Sequence, residues 1–174
     1  FQDVLTEKLG ADSVKFDVQN ASNETANCAT IVNGFVSSNV DLILANATAP
    51  LQAAASATDT IPILGTSVTD YATALDIENW TGTVGGNISG TSDLAPLDQQ
   101  AAMIQELFPD ATTVGLLYCT GEPNSVYQCE VIELALQDMG YSVEKFAFTD
   151  TNDVNSVTQA ACDASDVIYI PTDN

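Results

Sequence analysis

Short apolar runs constrain the architecture of this chain more than any other feature. Asp41-Leu-Ile-Leu-Ala45, Ile61-Pro-Ile-Leu-Gly65, Val114-Gly-Leu-Leu-Tyr118 and Val167-Ile-Tyr-Ile170 are too short for buried helices and show no polar alternation, so they read as strands of a buried parallel sheet. Between them lie segments with a helical stripe. Thr25 to Ser38 carries Ala29, Val32, Phe35 and Val36 on one face, residues 97 to 108 carry Ala101, Ile104 and Leu107, and residues 153 to 164 carry Val154, Val157 and Ala161. Phe1 to Gly10 is a helix stopped by its glycine. Val14 to Val18 and Tyr141 to Phe148 alternate like strands, and Asn87 to Thr91 makes another short one. Strands and helices alternating at this length specify an α/β fold with parallel sheets and helices on both faces.

Local chemistry sets the punctuation. Thr48 is a good N-cap, with Pro50 in the first turn of a helix reaching Ala57. Ser125 and Gln128 have the spacing of a capping box, which starts a helix near Ser125 that ends at Gly140. Ser92-Asp-Leu-Ala-Pro96 interrupts the pattern and marks the crossing between two lobes, residues 1–92 and 93–174.

Composition excludes several chemistries. The 174 residues contain 24 acidic side chains against three lysines, with no arginine and no histidine, for a net charge of −21. Nucleic acid is not expected as a partner, since its binding is driven by lysine and arginine. A Ser-His-Asp or Cys-His nucleophile has no base here, and neither histidine-ligated metal nor an arginine clamp for a carboxylate can be built. No metal or cofactor is expected. No apolar run approaches the roughly 18 residues of a membrane span, and no basic segment leads into an apolar one at the start. The cysteines, Cys28, Cys119, Cys129 and Cys162, lack CxxC spacing. Cys119 and Cys129 are near enough along the chain for a disulfide in an oxidising compartment, while buried thiols are an equal alternative for the others.

The polar groups that follow the apolar runs carry the functional signal, because open α/β sheets bind ligands beyond the carboxyl ends of their strands. Thr48 and Ala49 follow the first run, Thr69 and Asp70 the second, and Asp93 follows the short strand. Glu122, Asn124 and Ser125 follow the third long run, and Asp173 and Asn174 follow the last.

Several blocks together resemble the ABC-transporter substrate-binding proteins of the tryptophan/aromatic amino-acid type. They are VDLILA at 40 to 45 with Asn46-Ala-Thr-Ala-Pro50, IPILGTSVTD at 61 to 70, GGNISGTSDLAP at 85 to 96, VGLLYCTGEPNSVYQ at 114 to 128 and VIYIPTDN at 167 to 174. The resemblance covers essentially the whole chain in order. It implies a type I periplasmic-binding-protein fold: two doubly wound parallel-sheet lobes with an interlobe cleft that closes on a ligand, without a catalytic step. It also implies an extracytoplasmic protein, periplasmic or a cell-surface lipoprotein, acting as a monomer with an ABC permease in the membrane. The family's first strand has no counterpart before Phe1 and its later second-lobe elements none after Asn174, so a partial sequence is expected.

An amino-acid ligand presents an ammonium, a carboxylate and a side chain. Asp70, Asp93, Glu122 and Asp173 are the acidic candidates for the ammonium. With no arginine, the carboxylate falls to hydroxyls and helix-start N–H groups at Thr48, Ala49, Thr69 and Ser125. Tyr71, Trp80, Tyr118 and Tyr127 are the candidates to stack an aromatic side chain, with core packing favoured for Tyr118. Each has a plainer reading as a solvated loop carboxylate, a capping residue or a core ring. Two other classes compete: the effector domain of a transcription regulator, disfavoured by the acidity, and a small α/β enzyme using Asp93 and Glu122 as its carboxylate pair.

Overall fold

The computed structural model describes residues 1–22 and 24–172. Two three-stranded sheets organise it, every pairing within them parallel. The first contains β1 (Ile43–Asn46), β2 (Ile63–Val68) and β3 (Ile88–Ser92) in spatial order β1-β2-β3. The second contains β4 (Thr113–Cys119), β5 (Ser142–Phe148) and β6 (Val167–Tyr169), with β4 in the centre.

Each sheet has its own core. Helices α2 (Thr25–Ser37) and α3 (Thr48–Ala57) pack on each other, and α3 lies on β1 and β2. Val32, Leu51 and Ala54 thereby meet Ile43, Ala45, Ile63 and Val68. On the second sheet, α5 (Leu97–Leu107) and α6 (Pro123–Asp138) cover one face, joining Ala101, Ile104, Ile132 and Leu136 to Val114 and Leu116. Alternate strand residues point to opposite faces, so Gly115 and Leu117 are left for α7 (Val154–Ala164), which packs on β4 and β5. That double cover explains the unbroken apolar run from Val114 to Tyr118. β1 instead alternates buried and exposed residues. Helix α1 (Gln2–Leu9) buries no residue, and Gly10 follows it with φ 91°.

Several sequence-derived boundaries are corrected. Residues 14 to 18 form no strand: an isolated alternating segment has no ladder, and here only Val14 and Phe16 are partly covered. Thr48 is the first residue of α3, while Ala47 occupies the N-cap position without a side-chain cap bond. α6 begins at Pro123, because proline fits the first turn of a helix, and Glu122 stands at its N-cap position. The capping box at Ser125 and Gln128 therefore does not exist. No disulfide joins Cys119 to Cys129. The Cys119 thiol lies 3.8 Å from the Thr149 carbonyl, while Cys129 points into the core beneath α6. Two short elements were not foreseen: a 3-10 turn at Ala11–Ser13 and α4 (Tyr71–Ala74).

Candidate functional site

At the first sheet the strand exits are tied to one another. The Ala47 N–H donates to the Thr66 carbonyl (2.9 Å) and the Asp93 N–H to the Val68 carbonyl (3.0 Å). The Ser92 hydroxyl donates to the Thr69 carbonyl at 2.8 Å. β2 is irregular between Gly65 and Val68, and Ser67 within that span has φ 53°. The bulge bends the strand and re-aims Thr69, which is buried. Ala47, with φ 90° and ψ 167°, sits in a region otherwise almost reserved for glycine, a strain of about 1–3 kcal/mol stored where β1 turns into α3.

Asp70 is the N-cap of α4, its carboxylate accepting from the Thr73 N–H at 2.7 Å. Tyr71 is buried beneath it and donates to the Thr91 carbonyl (3.3 Å). Burial and the nearby charge of Asp93 push its phenol above the usual range, partly offset by the bond to Thr91. Tyr71 is thus a packed structural ring, which removes it from the candidates for stacking a ligand.

At the second sheet the candidate site is built around the first turns of α6. Asn124 donates its amide to the Thr172 carbonyl at 3.3 Å. Gln128 donates to the same carbonyl at 2.8 Å and to the Asn124 carbonyl at 3.1 Å, and its own Oε1 accepts from the Thr172 N–H at 3.1 Å. The exit of β6 is thereby clamped to α6. A carbonyl can only accept, so Asn124 must turn its NH₂ towards Thr172, and its Oδ1 faces elsewhere. Asn124 is 4% exposed, Ser125 0% and Gln128 1%. Asn124 Oδ1 and Ser125 Oγ are buried with no hydrogen-bond partner among the described residues. The third such atom, Ser165 Oγ, precedes β6 at the opposite end of the sheet.

The two halves meet where α4 packs against α6. Tyr127, half-buried on α6, has its phenol pushed up by burial and then by the charge of Asp70 at the head of α4. Thr69, Asp70, Asn124, Ser125 and Tyr127 are therefore brought to one region. Thr48 is buried at the start of α3 and Ala49 half-buried beside it, with no bond across to α6. Asp93 is exposed at the exit of β3, and Glu122 is half-buried at the head of α6. Asp173 and Asn174 lie outside the described residues. Trp80 is exposed in the loop before β3, and Tyr118 packs against the second core. Gln128 bonds the Thr172 backbone instead of capping α6; its S-x-x-Q spacing does not reveal this, because only the fold brings Thr172 beside it. Among the described residues no group of three or more His, Cys, Asp or Glu side chains could hold a metal ion, and no helix is long and apolar enough to cross a membrane.

The family model for ABC transporter substrate-binding proteins matches residues 1–174, the whole chain. The chain belongs to this family. Among substrate-binding proteins, it is 36% identical over 163 residues to a tyrosine-binding protein of Clostridioides difficile strain R20291, covering 94% of this chain and 47% of that protein. A Streptococcus pneumoniae ABC domain in complex with L-tryptophan superposes with a TM-score of 0.90 at 34% identity, covering 99% of this chain and 59% of that one. A ligand-free, open substrate-binding protein with adhesive properties from Clostridium difficile gives 0.63 at 35% identity, covering 97% and 58%. The chain thus spans about half the length of the curated relative it matches. The architecture is that of the type I periplasmic binding proteins, α/β with parallel sheets.

Proposed function

We propose that this chain is the ligand-binding part of an extracytoplasmic receptor of an ABC importer. It closes two lobes, residues 1–92 and 93–174, on an aromatic amino acid, tryptophan, tyrosine or phenylalanine, and delivers it to a membrane permease without chemical change. What supports this is the pair of buried polar atoms, Asn124 Oδ1 and Ser125 Oγ, with no hydrogen-bond partner among the described residues, in the first turn of α6, the helix that α4 packs against. An unsatisfied buried polar group costs about 1–3 kcal/mol, so this site is completed by a molecule that brings hydrogen-bond partners. The amide oxygen accepts from an ammonium; the hydroxyl and the N–H groups of the helix start suit a carboxylate. Asp70 adds negative potential from the facing lobe, and Tyr127 an aromatic surface.

The relatives support the same reading: one is a tyrosine-binding protein and one was solved with L-tryptophan. At 34% and 35% identity, the chain follows the tryptophan complex more closely than the open, ligand-free relative, with TM-scores of 0.90 and 0.63. The test is a thermal-shift screen of the full-length protein against the amino acids, followed by calorimetry and an assay for turnover. A ligand at one hundred times its Kd adds about 2.7 kcal/mol of stability, an easily resolved shift. If tryptophan, tyrosine and phenylalanine all left the melting temperature unchanged while another solute raised it, the aromatic assignment would be wrong. Product formation from a bound ligand would refute the receptor reading.

A further inference from the structure

Gly65 of β2 and Gly90 of β3 are paired directly across the first sheet, each the third residue of its strand. The space that their side chains would take is filled by Tyr71. A Cβ on Gly65 would run into the Tyr71 hydroxyl and lie 3.1 Å from two of its ring carbons, with no other neighbour among its three nearest atoms. A Cβ on Gly90 would meet that hydroxyl and also the Gly65 backbone. The hydroxyl in turn donates to the Thr91 carbonyl, one residue beyond Gly90. A phenol is thus keyed into a two-glycine notch and fastened at its tip.

Tyr71 is also the first residue of α4. Thr69 and Asp70 immediately precede it, the Ala74 and Leu75 N–H groups bond back to Asp70 and Tyr71, and α4 packs against α6. The height of this turn above the sheet is therefore set by how deeply the ring enters the notch. Packed interiors do not absorb an added methyl without shifting something, and the neighbour that must give is the Tyr71 ring at the head of the turn. We infer that Tyr71 is a positioning residue: its ring, keyed between Gly65 and Gly90, holds the Thr69–Ala74 turn at the position from which the first lobe closes on α6 and the ligand. This deepens the binding reading and rests on it.

A double-mutant cycle in the full-length protein tests it, with Gly65→Ala, Tyr71→Phe and the pair. Removing the hydroxyl relieves the main collision that the Gly65→Ala methyl makes, so the two changes must be coupled. Gly65→Ala is expected to weaken L-tryptophan or L-tyrosine binding by about tenfold, equivalent to ~1.4 kcal/mol. The pair is expected to bind better than the product of the single losses. Val32→Ala, which lowers stability from the same core, is expected to leave affinity nearly unchanged. Without ligand, amide exchange at Ala74, Leu75 and Ile77 should accelerate in Gly65→Ala more than at α3. Additive losses, a Val32→Ala affinity loss equal to that of Gly65→Ala at matched stability, or exchange raised evenly through the lobe would each overturn the inference. If the wild type bound neither amino acid, the binding reading would fail, and the exchange measurement would still decide whether the ring seats the turn.

Discussion

Replacing Gln128 tests the clamp at the second half of the site. Its side chain makes two bonds with the Thr172 backbone and one with the Asn124 carbonyl. In Gln128→Met the packed shape is kept and all three are lost. The Thr172 carbonyl and N–H belong to an exposed residue and can be rehydrated, and the Asn124 carbonyl lies within α6, so no orphan is left in the core. The loss is then the net value of the two long-range bonds at about 0.5–1.5 kcal/mol each, or ~2 kcal/mol together. For a domain of this size that lowers the melting temperature by roughly 4–8 °C. Urea unfolding of the full-length protein measures it directly. Gln128→Glu sharpens the test, because a buried carboxylate can accept from the Thr172 N–H but opposes the Thr172 carbonyl. Burial and that carbonyl raise its folded pKa, so this variant is expected to be least stable at neutral pH and to recover as the pH falls and the carboxyl regains a proton. A Gln128→Met protein within about 0.5 kcal/mol of wild type, the range of an ordinary surface change, would refute the clamp.

Three further outcomes follow from the same geometry. Tyr169, whose hydroxyl donates to Gln100 at 2.7 Å, has its phenol pushed up to about 12 by burial and then by Cys129, from an ordinary 10.0. The fold favours the protonated form, so this contribution is complete below pH 10 and lost as pH rises through about 12; alkaline unfolding of Tyr169→Phe should show a shallower fall over that window. Asp166 accepts from both N–H groups and the hydroxyl at Thr112 and Thr113, which hold its carboxyl below the usual range. Its contribution is present above the ordinary carboxylate pKa and lost as pH falls through the lowered one, so Asp166→Asn should flatten the acid limb of a circular-dichroism titration. Ala47→Gly relieves the φ of 90° and should stabilise by up to about 1 kcal/mol in urea unfolding, less than the full strain because glycine frees the unfolded chain.

The parts of the fold that were legible in the sequence are those where local pattern and burial agree. The run at Val114–Tyr118 is apolar throughout because β4 is covered on both faces, and the striped helices at Thr25 and Leu97 formed where their apolar positions found a sheet. Residues 14 to 18 have a strand's alternation, but alternation supplies no partner strand. The site was legible as positions rather than contacts. Strand exits pointed to Thr69, Asp70, Asn124 and Ser125, yet Gln128 takes its role from Thr172, 44 residues on, and Tyr71 from a notch closed by Gly90 and from the Thr91 carbonyl, 20 residues on. No local rule encodes such a meeting, and a serine with a glutamine three residues on looks like a cap whether or not the helix begins there.

The central claim is that an aromatic amino acid is held between the lobes by the first turn of α6. A crystal structure of the full-length protein with L-tryptophan or L-tyrosine tests it most directly. The ligand's ammonium or carboxylate is expected within hydrogen-bond distance of Asn124 Oδ1 or Ser125 Oγ, with the Thr69–Asp70 turn closing the other side. A ligand bound with both atoms still unpartnered, or seated outside the region between α4 and α6, would contradict it.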